Sequence, residues 1–197
     1  FLIGLAYLNA IDVERDTQRA FQLIKSSADA NLPEAIHKLV DMYNTGEGVQ
    51  RDYEEAINWQ KKYIAVIENA GYSKRLIGVS IAQLAKMETE IGDYTAAQRD
   101  YSKCIQIYSQ IAKLLKNVEI QQNLALSYGG LGKIALEEGN LSVAKENISM
   151  ELQIRKSIAE KTNTFEAQRD LALNYVVLGD ITNEEGNLSA AKDYFLK

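Results

Sequence analysis

Internal repetition constrains the fold of this chain more than any other feature of its sequence. In the first third, a shift of 36 residues superposes Tyr7 on Tyr43 and the Arg-Asp pair at 15–16 on the pair at 51–52. A unit that recurs at a fixed period cannot bury its apolar face alone and does so by stacking against the next copy. The sequence therefore predicts a stacked array of similar units.

Beyond Gly71 the repeat period lengthens to 47 residues. Residues 124–128 match residues 171–175, and residues 137–142 recur as residues 184–189. A weaker third copy lies 47 residues earlier. The two periods indicate two kinds of repeat in one chain.

Both kinds of repeat are predicted to be helical. One proline, Pro33, interrupts a chain rich in good helix formers, and alternating β-branched runs are scarce. A hydrophobic content of 46% is enough for a continuous core. We expect helices over residues 33–44, 53–70, 74–91, 94–116, 118–138, 141–162 and 165–185.

A glycine followed by a capping residue recurs where the first helix of a long repeat gives way to the second. Glycine is expected to end the first helix because it tolerates the left-handed conformation, and Asp or Asn is expected to cap the second. These pairs are Gly92-Asp93, Gly139-Asn140 and Gly186-Asn187. Asn140 and Asn187 also begin glycosylation sequons, but we interpret them as caps.

Residues 33–59 closely resemble a Sel-one-like repeat. Pro33 suits the first turn of a helix, and Ala56 lets two helices approach closely. Gly46 and Gly48 permit positive φ angles in the loop between the helices.

The preceding copy departs from this pattern in its loop. Ala10 and Asp12 stand where the second copy has its two glycines. Asp tolerates the left-handed region better than most residues, but Ala does not. We therefore expect the first loop to be built differently.

The copies of period 47 resemble tetratricopeptide repeats with lengthened helices. The family's aromatic residue, Leu-Gly, Gly-Asn and small alanine fall at Tyr128, Leu131-Gly132, Gly139-Asn140 and Ala144. In the weaker copy, Ile81 takes the place of the aromatic residue and Ala85 the place of the first glycine. Because the small residues hold one helix of a pair against the other, Gly132→Leu is expected to be far worse than any surface change.

These resemblances imply an all-α fold, a right-handed α-solenoid of antiparallel helix pairs. We expect residues 1–71 to hold two Sel-one-like repeats, the first truncated. Residues 72–197 are expected to hold three tetratricopeptide-like repeats, the last truncated, in one continuous solenoid. Phe1 and Lys197 fall inside helices of their repeats, which predicts that this segment belongs to a longer solenoid.

Charge and composition argue against several classes of ligand. The net charge is −5 and basic residues are scattered singly, so we expect no nucleic-acid binding. A single cysteine, Cys104, and the lack of zinc-like Cys/His spacing predict no metal and no cofactor. The longest apolar run, residues 1–8, is far shorter than the roughly 20 residues of a membrane-spanning helix. We expect a cytoplasmic protein that does not bind a membrane.

No catalytic constellation is predicted. His37 and Cys104 are the residues most suited to proton transfer or nucleophilic attack, and they fall in different repeats. Cys104 occupies a helix position where tetratricopeptide repeats place a small buried residue, and His37 replaces an aromatic residue. We interpret both as packing residues. Adjacent glutamates at 137–138 and 184–185 point about 100° apart on a helix and do not form an acid–base pair.

The tetratricopeptide resemblance implies a binding groove on the concave surface, formed by the first helix of each pair. Carried over position by position, it points to Val79, Ala82, Lys86, Thr89, Leu126, Gly129, Lys133, Leu136, Leu173, Val176, Asp180 and Asn183. Leu126, Leu173 and Val176 have an equally good alternative interpretation as core residues. Lys86 and Lys133 are more informative, because a charged side chain is seldom packed inside a core.

The mixed apolar and polar groove suits an amphipathic helix or an extended peptide. A clamp for a C-terminal carboxylate is not expected, because Gly130 and Val177 stand where that device has asparagines. The resemblance implies a non-catalytic scaffold or adaptor for a protein or peptide partner, often in bacterial regulatory, secretion or signalling proteins. The alternative is a peptide-sensing regulatory domain of a larger signalling or transcription-regulating protein. Homodimerisation through the solenoid ends is compatible with either.

Overall fold

The computed structural model describes residues 1–115 and 117–197, and every regular element within those ranges is an α-helix. The helices are α1 (Leu2–Asn9), α2 (Thr17–Asp29), α3 (Pro33–Thr45), α4 (Tyr53–Asn69), α5 (Lys74–Glu90), α6 (Tyr94–Leu114), α7 (Val118–Glu137), α8 (Leu141–Thr162), α9 (Phe165–Glu184) and α10 (Leu188–Phe195). The expected all-α class is confirmed.

The helices expected from the sequence correspond to α3–α9. Their boundaries lie within two residues of the expected places. The expected end of α6 at residue 116 lies outside the described residues, and the helix ends at Leu114. Pro33 occupies the first turn of α3 as expected.

The glycine and cap pairs act as the sequence predicts. Side-chain oxygens of Asp93, Asn140 and Asn187 accept hydrogen bonds of 3.1, 3.2 and 3.1 Å from the backbone N–H of Ala96, Val143 and Ala190. The preceding glycines have φ angles of 82°, 70° and 80°. A Cβ added to any of them would meet nothing within 4 Å, so the left-handed backbone alone requires glycine.

The first compact unit comprises Phe1–Gly92 and contains α1–α5. Each of these helices packs against the next one in sequence. Its core is mainly aliphatic, because side chains three or four positions apart share one face of each helix. Fully buried members include Ala20, Ile24, Ala28, Ala35, Ile36, Leu39, Met42, Ala56 and Ile67.

The two loops of the first unit share one backbone conformation, so the expected difference between them is wrong. Ala10 and Asp12 have φ angles of 54° and 56°, and Gly46 and Gly48 have 79° and 76°. Ala10 and Asp12 are exposed, and strain at an alanine in this region costs roughly 1–2 kcal/mol. Gly48 has a stricter requirement, since an added Cβ would lie 2.1 Å from the carbonyl oxygen of Thr17.

The second compact unit comprises Asp93–Lys197 and contains α6–α10, again with each helix packed against the next. One buried cluster joins α7, α8 and α9 through Ala135, Ala144, Ile148, Leu152, Leu178 and Ile181. The change of repeat type after residue 71 concerns the sequence period and remains a prediction.

Glycines on α7 and α9 let each helix touch the second helix of its pair. A Cβ at Gly132 would lie 2.5 Å from Cδ1 of Ile148 on α8. A Cβ at Gly179 would lie 2.3 Å from Cε1 of Phe195 on α10. The close helix approach expected at Gly132 is confirmed, and Gly179 provides the same contact one period later.

Candidate functional site

Three apolar side chains on the first helices of the long repeats are exposed to solvent. Leu126 on α7 and Leu173 on α9 are each 57% exposed, and Val176 on α9 is 46% exposed. The alternative interpretation of these three residues as core is therefore wrong. The buried face of α7 instead passes through Ala125, which points about 100° away from its neighbour Leu126.

The exposed residues follow helical spacing on both helices. Leu126 and Lys133 lie nearly two turns apart on α7 and are both exposed, so they share one face. On α9 the equivalent exposed residues are Leu173, Val176, Asp180 and Asn183. Each face combines apolar and polar side chains, as the sequence suggested.

Two other residues expected on the α7 face contact other residues of the second unit. Leu136 is partly buried and packs against the cluster that includes Ala135 and Ile148. A Cβ at Gly129 would lie 2.6 Å from Oε2 of Glu151 on α8. Gly129 is thus the point where a carboxylate of α8 approaches α7.

An ion-pair network that was not predicted from the sequence lies beside Gly129. Arg155 on α8 donates from Nε to Oε1 of Glu151 at 2.7 Å and from Nη1 to Oδ2 of Asp170 on α9 at 2.8 Å. Glu151 is 5% exposed, and the Arg155 side chain is 12% exposed, so each charge needs the other for compensation. The four-residue spacing of Glu151 and Arg155 is the only signal in the sequence, and such pairs usually lie on a solvated helix surface.

The expected groove residues on α5 belong to the first unit and are mostly half-buried. Val79, Ala82 and Thr89 are of this kind, and the Thr89 hydroxyl donates to a backbone carbonyl one turn earlier at 2.8 Å. Lys86 is the exposed member, with 74% of its side chain accessible. Its Nζ lies 3.9 Å from Oε1 of Glu90.

Lys86 also borders a cavity of about 310 Å³ between α3, α4 and α5. Residues spaced three or four apart on α3 and on α5 line it, and α4 contributes the remainder. The lining consists of His37, Val40, Asp41, Asn44, Tyr53, Gln60, Gln83, Lys86, Met87 and Glu90.

Three polar atoms of the lining side chains are buried and have no hydrogen-bond partner among the described residues. They are Oε1 of Gln60, Oδ1 of Asn44 and Nδ1 of His37. Gln60 is 1% exposed, and its Nε2 donates to the carbonyl oxygen of Ser80 at 2.7 Å. Because a carbonyl only accepts, this bond fixes the amide orientation and leaves Gln60 Oε1 as an unused acceptor. A ligand group that hydrogen-bonds to these atoms gains from pairing them, because each buried polar group needs a partner.

The packing of His37 was expected from the sequence, whereas the burial of Gln60 was not. The His37 ring packs against the Tyr63 ring with centroids 5.2 Å apart. Gln60 lies four residues from both Ala56 and Ile64, which are buried on the same face of α4. A glutamine within a buried stripe is the signal that could have identified it.

Cys104 packs inside the second unit, as expected. It is buried, and desolvation by that burial raises the pKa of its thiol to about 12. The glutamates at 137–138 and 184–185 are exposed. Within the described ranges, no three His, Cys, Asp or Glu side chains are grouped to hold a metal ion. Across the same ranges, no helix has the length and apolar character needed to cross a membrane.

The chain is similar to known repeat proteins. The Sel1 repeat model matches residues 1–32 and 33–62. A crystallised Sel1 repeat protein from Oxalobacter formigenes is 20% identical, with 98% of this chain and 68% of that chain covered and a TM-score of 0.54. A putative kinesin light chain from Podosopora anserina with nearly identical TPR-like repeats is 16% identical, with 98% and 88% covered and a TM-score of 0.56. No curated protein sequence matches the chain significantly.

The expected Sel-one-like repeats are thereby confirmed over residues 1–62, and the fold is shared with a protein of tetratricopeptide-like repeats. The fold class, an α-solenoid type of antiparallel helix pairs, is confirmed with them. At these identities the structural likeness shows the fold alone. Repeats of this class generally form scaffolds for protein–protein interaction.

Proposed function

We propose that this chain of Sel1 and tetratricopeptide-like repeats is a non-catalytic interaction module that binds a peptide segment of a partner protein. Within the second unit, the binding surface is formed by the first helices of the long repeats, α7 and α9. In the second unit we call Leu126, Lys133, Leu173, Val176 and Asp180 the leucine face.

The matched exposure of two leucines one repeat period apart carries this proposal. Leu126 and Leu173 lie 47 positions apart, and each is 57% exposed. A single exposed leucine is ordinary on a protein surface, but recurrence at the same repeat position is typical of a binding face. Full burial of a leucine side chain contributes roughly 1.5–3 kcal/mol. A partner that covers both leucines and Val176 therefore gains a large part of its affinity from them.

The charges of the leucine face favour a partner of mixed character. Lys133 on α7 and Asp180 on α9 carry opposite charges and are both exposed. This balance gives no preference for a strongly acidic or strongly basic tail. An amphipathic helix or an extended peptide with spaced apolar side chains fits the surface better.

The surroundings of the most reactive side chain support a non-catalytic role. Burial raises the pKa of the Cys104 thiol to about 12, so the nucleophilic thiolate is scarce at neutral pH. The thiol also has no access to a substrate, because Cys104 is fully buried.

Affinity capture from a lysate of the source organism tests the proposal. The baits are the wild-type chain, a Leu126→Glu/Leu173→Glu variant and a matched Val143→Glu/Met150→Glu control. Val143 and Met150 lie on α8 and are 41% and 37% exposed. We expect a protein that is retained by the wild type and the control and lost by the leucine-face variant. Retention by all three baits would place binding elsewhere, and circular dichroism verifies that each bait is helical.

A further inference from the structure

We propose that the cavity between α3, α4 and α5 is a second recognition site, which binds the guanidinium group of an arginine in a partner peptide. The cavity lies within the first unit, and its lining includes no residue of the leucine face. The inference rests on the proposed function only in that its ligand is a segment of another protein.

The described side chains around the cavity offer more acceptors than donors. Gln60 Oε1 and Asn44 Oδ1 are buried and unpaired, and Asp41 and Glu90 add exposed carboxylates at the rim. Among the described lining residues Lys86 is the one lysine or arginine; its Nζ lies 3.9 Å from Oε1 of Glu90, and most of its side chain extends into solvent. A cavity with this balance selects a ligand that is positively charged and rich in N–H donors.

The arrangement of the acceptors favours arginine over lysine. Asp41 and Asn44 are on α3, Gln60 is on α4 and Glu90 is on α5, so acceptors reach the cavity from three helices. A guanidinium presents five N–H donors in a planar fork and can serve several of these oxygens together. It is also more weakly hydrated than an ammonium group, so it loses less on leaving water.

The remaining walls suit the rest of an arginine side chain. Val40 and Met87 offer apolar contacts for its methylene groups, and a cavity of about 310 Å³ holds one long side chain. Gln83 and Lys86 border the buried Gln60 and are themselves exposed. Rotamer changes of such exposed side chains are fast, so they open the way to Gln60 without a change in the helices.

The only histidine of the chain gives a direct test, because His37 lines the cavity. The full chain is titrated at fixed pH with an acetylated and amidated tripeptide that has arginine between two alanines. Lysine and citrulline tripeptides are titrated in parallel, and the His37 imidazole proton signals are followed by NMR. We expect saturable shifts with the arginine peptide and at least about tenfold weaker responses to the other two. No response to arginine, or an equal response to lysine or citrulline, would overturn the proposal.

A charge-neutralising variant locates the binding. Asp41→Asn/Glu90→Gln keeps the side-chain shapes and is expected to weaken arginine binding by at least about tenfold. Glu34→Gln/Glu54→Gln removes two exposed carboxylates outside the lining and is expected to bind as the wild type does. Equal binding by both variants would contradict the assigned site. These tripeptides lack large apolar side chains, so they do not test the leucine face. If none of them binds, the cavity proposal fails and the proposed function of the leucine face still stands.

Discussion

At Gly132 the absence of a side chain sets the distance between α7 and α8. An added Cβ would lie 2.5 Å from Cδ1 and 2.7 Å from Cγ1 of Ile148. Gly132→Leu is expected to lower the free energy of unfolding by about 2–3 kcal/mol, because the two helices must separate or Ile148 must leave its rotamer. Urea denaturation followed by circular dichroism measures this change.

The next residue supplies a matched control for Gly132→Leu. Lys133→Leu adds the same side chain at an exposed position of α7 and is expected to change stability by no more than about 0.5 kcal/mol. Equal destabilisation by the two variants would contradict the close approach of α7 and α8 at Gly132.

Cys104 reports on the integrity of the second unit. Desolvation by burial raises the pKa of its thiol to about 12, whereas the thiol of an unfolded cysteine has a pKa of about 8.5. At pH 8 we expect Ellman's reagent to react slowly with the native chain and rapidly in denaturant. Rapid reaction in native buffer would show that Cys104 is not buried in solution.

Individual helices depend on their caps, and α8 allows a clean comparison. Asn140 accepts a hydrogen bond from the Val143 N–H at the start of α8, whereas Asn147 lies inside the helix and donates to a backbone carbonyl. Asn140→Ala is expected to cost about 1 kcal/mol of stability, and Asn147→Ala is expected to be neutral or slightly stabilising. Chemical denaturation distinguishes the two, and the reverse order would argue against the cap.

Arg155 adds an ion pair to the apolar contacts between α8 and α9. Arg155→Met is expected to destabilise the chain by about 3 kcal/mol, because it leaves the buried Glu151 carboxylate without its cation. Arg169→Met is the control, since Arg169 pairs with Asp170 while 58% of its side chain is exposed. The control is expected to change stability by less than about 1 kcal/mol. Similar unfolding midpoints for both variants would show that the Arg155 network is not structural.

Helix boundaries could be predicted because their signals are local. The positive φ angle of Gly139 ends α7, and the side chain of Asn140 caps the start of α8. Each of these effects depends only on residues within one helical turn. The first loop was predicted wrongly, because an exposed Ala10 accepts a strained left-handed conformation that was not expected of alanine.

At the scale of the whole molecule, repetition in the sequence predicted the fold class. The candidate sites could not be predicted in this way, because they depend on contacts between side chains of different helices. The polar cavity combines side chains from three helices. The Ser80 carbonyl, twenty residues from Gln60, accepts a hydrogen bond from the Gln60 amide and so orients it. Leu126 and Leu173 illustrate a second limit. Their spacing fits both a core face and an exposed face, and only the packing of the neighbouring helices decides between them.

Site-specific photocrosslinking in the source organism tests the central claim most directly. A photoreactive phenylalanine analogue is placed at position 173 on the leucine face of the full chain, or at Val143 on α8 as the control. We expect a discrete crosslinked protein from position 173 that is absent from position 143 and is lost when Leu126→Glu is added. The same adducts from both positions, or none from position 173, would contradict the proposal that the leucine face binds a partner.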